Sequence, residues 1–141
     1  MCGIAGVAGV ELPDTSSLAR LKRMCDAIVH RGPDDEGTLV KNGVALGMRR
    51  LSIIDVAGGH QPIFNETGSI AVVFNGEIYN HRELREDLVR RGHTFRTRSD
   101  TEVLVHLYEE FGEGMLPKLN GMFAFALWNA DSQSLLVARD R

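Results

Sequence analysis

The sequence predicts an α+β domain, and three observations predict it. Several short apolar runs are separated by turn signals, the pattern of antiparallel strands. Three other stretches repeat apolar residues at helical spacing next to capping residues. The 141 residues, 43% hydrophobic and 25% charged, suit one compact core and are too few for two ordinary domains. No repeat, low-complexity tract or Pro/Ser-rich linker divides the chain.

Ile4 to Val10 is small and apolar and reads as a buried strand starting almost at the N-terminus. From Leu18, apolar residues recur at Leu21, Cys25 and Ile28, one face of a helix, with Asp14, Thr15 or Ser16 as candidate caps. Cys25 is thereby read as a core residue, because a free cysteine packs as a small hydrophobe. Strands are expected at Gly37–Lys41, Val44–Leu51 and Ile70–Phe74, with Asn42-Gly43 making a hairpin of the first two. Asn80 and Glu83 have N-cap to N3 spacing, Leu84 and Leu88 share a face, and Gly92 suits the stop, so a second helix follows. Ser99 and Glu102 predict a capping box for a third, whose apolar face is Val103, Leu104, Leu107, Tyr108 and Phe111 and whose end is Gly112. Met122–Trp128 and Leu135–Arg139 form a final hairpin around the polar loop Asn129–Ser134.

A net charge of −3 gives no basic face for nucleic acid. The one concentrated basic stretch, His81 to Arg98, alternates with Glu83, Glu86 and Asp87 and reads as a solvated helix face. No apolar run has the length of a membrane span and no signal peptide opens the chain, so the cytoplasm is the expected location. Two cysteines without a secretion signal are expected as free thiols. The five histidines show no close ligand spacing, and no metal site is expected.

Chemistry gathers at few residues. Cys2 follows the initiator Met1, whose removal leaves a thiol and an α-amine on one residue. An unperturbed α-amine has a pKa of about 7.7–8.0 and an unperturbed thiol one of about 8.5, so an amine can take a thiol proton near neutrality. This is nucleophile and base in one residue. Asn75-Gly76-Glu77 follows the strand Ile70–Phe74; an amide side chain and a backbone N–H there could face one point, as a tetrahedral oxyanion requires, although taken alone Asn-Gly reads as an ordinary turn. Within the strand that holds Arg49-Arg50, alternation sends the two side chains to opposite faces, and one of them could grip a carboxylate. Asp100 could hold an ammonium group or serve only the dipole of the helix it precedes. These groups together suit an α-amino acid with a side-chain carboxamide, glutamine being the natural candidate, and acyl transfer to water through a thioester.

The motifs MCGIAGV, HRGPDDEG (His30–Gly37), RRLSIID (Arg49–Asp55), GGHQP (Gly58–Pro62), FNGEIYN (Phe74–Asn80), RTRSDTEV (Arg96–Val103) and NGMFAFALW (Asn120–Trp128) occur in one order across nearly the whole chain. In this the sequence resembles the class II glutamine amidotransferase domain of asparagine synthetases. The resemblance implies an Ntn-hydrolase αββα sandwich of antiparallel sheets between helical layers. It implies Cys2 as nucleophile, Asn75 and Gly76 as the oxyanion hole, and Arg50 rather than Arg49 at the substrate carboxylate. It further implies Asp100 at the substrate α-amine with Glu77 beside it, and Ile53 near the substrate through its main chain. Arg31-Gly32-Pro33-Asp34 is implied to shape a loop near the pocket.

Two departures accompany the resemblance. Met48 stands where many relatives have histidine. The chain stops at ARDR, where the family continues into further strands and an ATP-using synthetase domain, so residues 1–141 are expected to be a C-terminally incomplete glutaminase domain with that second domain absent. ATP and magnesium are expected only there, and no cofactor in this chain. Glutamine is the expected partner, with no nucleic acid and no membrane, and a homodimer is the candidate state of the parent enzyme. The alternatives are the amidotransferase domain of another synthase, acting on a sugar phosphate, a purine precursor or a cell-surface glycan, and a catalytically silent glutamine-binding or assembly fragment.

Overall fold

A computed structural model describes residues 2–9, 14–41, 43–51 and 59–141. The elements are β1 (Gly3–Ala8), α1 (Asp14–Ala27), β2 (Asp35–Lys41), β3 (Val44–Arg50), β4 (Ile63–Phe64), β5 (Ile70–Ile78), α2 (His81–Arg90), α3 (Glu102–Phe111), β6 (Gly121–Asn129) and β7 (Ser134–Arg139). Short 3-10 turns occupy Val29–Arg31 and Gly112–Lys118.

Two antiparallel sheets result, one ordered β1-β3-β2 and the other β4-β5-β6-β7. In the first, Gly3 faces Arg49 and Glu36 faces Arg49 from the other side. In the second, Asn75 faces Ala124 and Gly76 faces Phe123. Because side chains alternate along a strand, each sheet sends one row inward. Leu39, Leu46 and Met48 of the first meet Val73, Ala126 and Trp128 of the second, forming the layer between the sheets.

The outward rows are covered by helices. Leu21 and Cys25 of α1 pack on Ala45, while Leu88, Leu104 and Leu107 pack on Val72, Phe74, Phe125 and Leu127. The order is thus helix, sheet, sheet, helices: the αββα arrangement expected. Cys25 is fully buried in the α1 stripe, as its spacing predicts. Met48, the departure from the family pattern, is also fully buried, in the layer between the sheets.

Several local expectations are corrected. Asn75-Gly76-Glu77 is not a turn after a strand: β5 runs on to Ile78, because β6 supplies partners for all nine residues. Asn80 precedes α2 but makes no capping bond; its amide instead accepts from Asn120 N–H at 3.0 Å and donates to Lys118 O at 3.0 Å. Glu102 does reach back from the start of α3, yet to Arg96 N–H and Thr97 N–H, each at 2.7 Å, rather than to Ser99. The basic stretch is helical only to Arg90, and Arg85 stacks over Phe95. β4 is too short to show a period. Helix α1 begins at Asp14, four residues before its apolar stripe. Val10, Asn42 and Ile53 lie outside the described residues.

Candidate active site

β1 delivers Cys2 to the inner face of the first sheet. One step beyond the Gly3–Arg49 pair, Cys2 stands opposite Arg50, and alternation turns both side chains inward. Arg49 therefore points outward, where it bonds Glu36 and donates to Gly32 O at 3.1 Å. Of the two arginines, Arg50 is the one that is buried and lines the cleft.

A cleft opens where the two sheets meet. It is lined by Cys2 and Arg50 from one side, by Asn75, Gly76 and Glu77 of β5 from the other, and by Asp100 at its end. Every sequence-predicted site residue within the described part of the chain thus faces one space. Ile53 is the remaining one and lies in the undescribed stretch.

The nucleophile candidate is anchored on both sides. Leu51 N–H points at Cys2 Sγ from 3.4 Å, and Arg31 Nε donates to Cys2 O at 3.1 Å. Gly32 allows this approach: a Cβ there would lie 2.3 Å from the Arg49 carbonyl carbon and 2.5 Å from Arg50 N. Asp34 N–H then bonds Arg50 O at 3.1 Å. The segment expected to shape a loop near the pocket does so by lying against the backbone beside Cys2 and Arg50.

On the opposite wall, β5 presents its free edge. Phe74 N–H donates to Gln61 Oε1 at 2.7 Å, and Ile78 N–H donates to Asp100 Oδ2 at 2.8 Å. Backbone N–H groups two residues apart leave the same edge of a strand, so Gly76 N–H points out between them, toward the cleft. Gly76 has φ of +150°, and a Cβ there would come within 2.1 Å of Met122 O. Only glycine suits this place. Asn75 Oδ1 is buried with no hydrogen-bond partner, an arrangement that costs free energy unless something else completes it.

Gln61, Ser99, Thr101 and Met122 also line the cleft. Sequence reasoning did not single them out as site residues. Gln61 and Ser99 belong to the GGHQP and RTRSDTEV motifs, which were the available signal. The fold also gathers Glu66, His93, His106 and Glu109, four residues whose potential ligand atoms all lie within 4.8 Å of one another. Their separation along the chain concealed them.

A family model described as the glutamine amidotransferase domain matches residues 1–141. The glutamine-hydrolyzing asparagine synthetase 1 of Bacillus subtilis (strain 168) is 49% identical over 142 residues, covering 99% of this chain and 22% of that protein. The asparagine synthetase 2 of the same organism is 46% identical, covering 100% of this chain and 19% of its own length. That of Sandersonia aurantiaca is 46% identical and covered to 26%. The chain therefore spans about a fifth to a quarter of the curated relatives it matches. Among solved structures, glutamine phosphoribosylpyrophosphate amidotransferase from B. subtilis superposes with a TM-score of 0.71 over 97% of this chain and 37% of its own, at 24% identity, a likeness of fold. With a family match along its entire length and the αββα architecture in place, the chain belongs to the glutamine amidotransferase domain family.

Proposed function

We propose that this chain hydrolyses glutamine to glutamate and ammonia through a thioester on Cys2, and that a longer protein containing it uses the ammonia to make asparagine. The single observation that carries the reading is the convergence of Cys2, Arg50, Asn75, Gly76, Glu77 and Asp100 on one cleft. The asparagine assignment rests on similarity to glutamine-hydrolyzing asparagine synthetases.

Removal of Met1 frees the Cys2 amine, which takes the thiol proton. The thiolate attacks the side-chain carbonyl carbon of glutamine, and the carbonyl π electrons move to oxygen. Asn75 Nδ2 and Gly76 N–H donate to that oxyanion, the type of stabilisation that commonly supplies about 10²–10³ in rate per donor. The amine returns its proton to the departing nitrogen, ammonia leaves, and the thioester remains. Water then attacks the thioester with the amine as base, releasing glutamate and restoring the thiol. Arg50 holds the α-carboxylate as a planar fork. Asp100, with Glu77 beside it, holds the α-ammonium end. ATP and magnesium belong to the synthetase part of such an enzyme, and no step here runs through them.

The test is mass spectrometry of the mature N-terminus after incubation with 6-diazo-5-oxo-norleucine. A single adduct on Cys2 of protein lacking Met1 is expected, together with loss of glutaminase activity in Cys2→Ala. Labelling at Cys25, or ammonia release that survives Cys2→Ala, would falsify the reading. Protein retaining Met1 should be inactive, since its Cys2 nitrogen is a peptide nitrogen.

A further inference from the structure

We propose that Glu66, His93, His106 and Glu109 form a four-ligand zinc site, structural in role, that fastens the β4–β5 turn and the segment after α2 to α3.

The geometry carries it. His106 Nδ1 lies 3.3 Å from Glu66 Oε2 and 3.2 Å from Glu109 Oε2. His93 Nδ1 lies 3.6 Å from Glu66 Oε1 and 3.5 Å from the same Glu109 oxygen. Zinc binds histidine nitrogen and carboxylate oxygen at about 2.0–2.2 Å in a tetrahedron, whose edges are then about 3.3–3.6 Å. The two separations to Glu109 Oε2 share one oxygen and fall at or beside that interval; His106 and His93 approach different oxygens of Glu66, and the four candidate ligand atoms lie within 4.8 Å of one another. Two imidazoles and two carboxylates are also a donor set that zinc takes readily.

The surroundings are those of metal ligands. A ligating histidine almost always turns its second nitrogen to a carboxylate or carbonyl. His93 Nε2 is 3.1 Å from Glu110 Oε1, and Glu110 is further held by Arg91. His106 is fully buried, and its Nε2 has no hydrogen-bond partner. Glu102 Oε1 lies 3.8 Å from it. A cation on Nδ1 fixes the proton on Nε2, and a small ring rotation then brings that N–H to Glu102. The carboxylates are positioned too: Asn65 Nδ2 donates to Glu109 Oε1 at 2.8 Å, and Thr94 N–H to Glu66 Oε1 at 2.9 Å.

The four ligands come from three segments. Glu66 lies in the turn between β4 and β5, His93 follows α2, and His106 and Glu109 are three apart on one face of α3. Four protein ligands leave no open position, which is the signature of a structural rather than a catalytic zinc. The ion would fix one end of residues 93–101, the segment that ends on Ser99, Asp100 and Thr101 beside the cleft.

The full chain, stripped with a chelator, is titrated with zinc chloride by calorimetry and with cobalt chloride by visible absorption. One ion per chain, a cobalt spectrum of four-coordinate type and a melting temperature that climbs with zinc concentration are expected. His93→Gln, at a partly exposed position whose fold is checked by circular dichroism, should bind at least about tenfold more weakly, and Glu109→Gln likewise. Cys2→Ser should bind as the parent does. Absence of stoichiometric binding in the parent overturns the proposal, as does unchanged affinity in folded His93→Gln. Loss of binding in Cys2→Ser also overturns it, by placing the metal on the thiol.

Discussion

Arg31 donates from Nε to the carbonyl oxygen of Cys2 at 3.1 Å, across 29 positions of sequence. The bond joins the turn after α1 to the first residue before β1 and leaves Cys2 little freedom to rotate about its backbone. A charged donor to a carbonyl contributes about 1.5–3 kcal/mol. Arg31→Ala is therefore expected to lower stability by about 1–3 kcal/mol and, by loosening Cys2, to lower kcat for glutaminase. Steady-state ammonia release checks it, and Arg31→Lys should recover only part, because a lysine ammonium lacks the Nε position.

Asn75→Ala separates chemistry from folding. Its buried Oδ1 has no partner, so truncation leaves no donor stranded on that oxygen, and the melting temperature should change little. Glutaminase kcat should nevertheless drop by about 10²–10³. Gly76→Ala should do the opposite first: its methyl would meet Met122 O, and unfolding should shift to lower temperature before any assay is read. Equal melting of Gly76→Ala and the parent would contradict the register described.

Gln61→Leu removes the acceptor of Phe74 N–H in a buried place. Leaving that donor unsatisfied should cost about 1–3 kcal/mol, measured by urea unfolding.

The two thiols should react very differently. Burial, followed by the nearby Glu36 carboxylate, raises the Cys25 thiol above its ordinary range, so its thiolate is scarce near neutral pH. A native chain treated with iodoacetamide at pH 7.5 should be modified at Cys2 alone, with Cys25 joining only after denaturation. Peptide mapping decides it.

Burial pushes the Glu102 carboxyl up, but the His106 ring, the Arg96 and Thr97 N–H groups and the Thr97 hydroxyl together outweigh this and hold it at about 2. The folded value lies below the unfolded one of 4.5. Its contribution to stability is thus complete above pH 4.5 and is lost as pH falls toward 2. Chelator-treated protein should unfold progressively more easily across that window, and Glu102→Gln should show a shallower acid dependence in the same urea titrations.

Much of the architecture was legible because its signals are local. The α1 stripe of Leu21 and Cys25, the final hairpin and the glycine ends of α2 and α3 each follow from spacing or a turn residue. The failures were where tertiary partners override local chemistry. Asn75-Gly76 reads as a turn until β6 pairs with it, and Asn80 reads as a cap until Lys118 and Asn120 claim its amide. Cys2, Asn75, Gly76 and Asp100 were legible from their own chemistry, while Glu77, Ile53 and the choice of Arg50 came only through motif resemblance. Spacing alone could not choose between Arg49 and Arg50, nor bring Glu66 and His93 to a helix that starts nine residues after the latter.

The edge of β5 carries three successive N–H groups aimed the same way, at Phe74, Gly76 and Ile78, with side chains gripping the outer two. The middle dipole is consequently fixed in direction when the domain folds. Water in its place would have to swing round each time charge built up on a reacting oxygen; this group does not, so the orientational work is done once, at folding, and none is left for turnover.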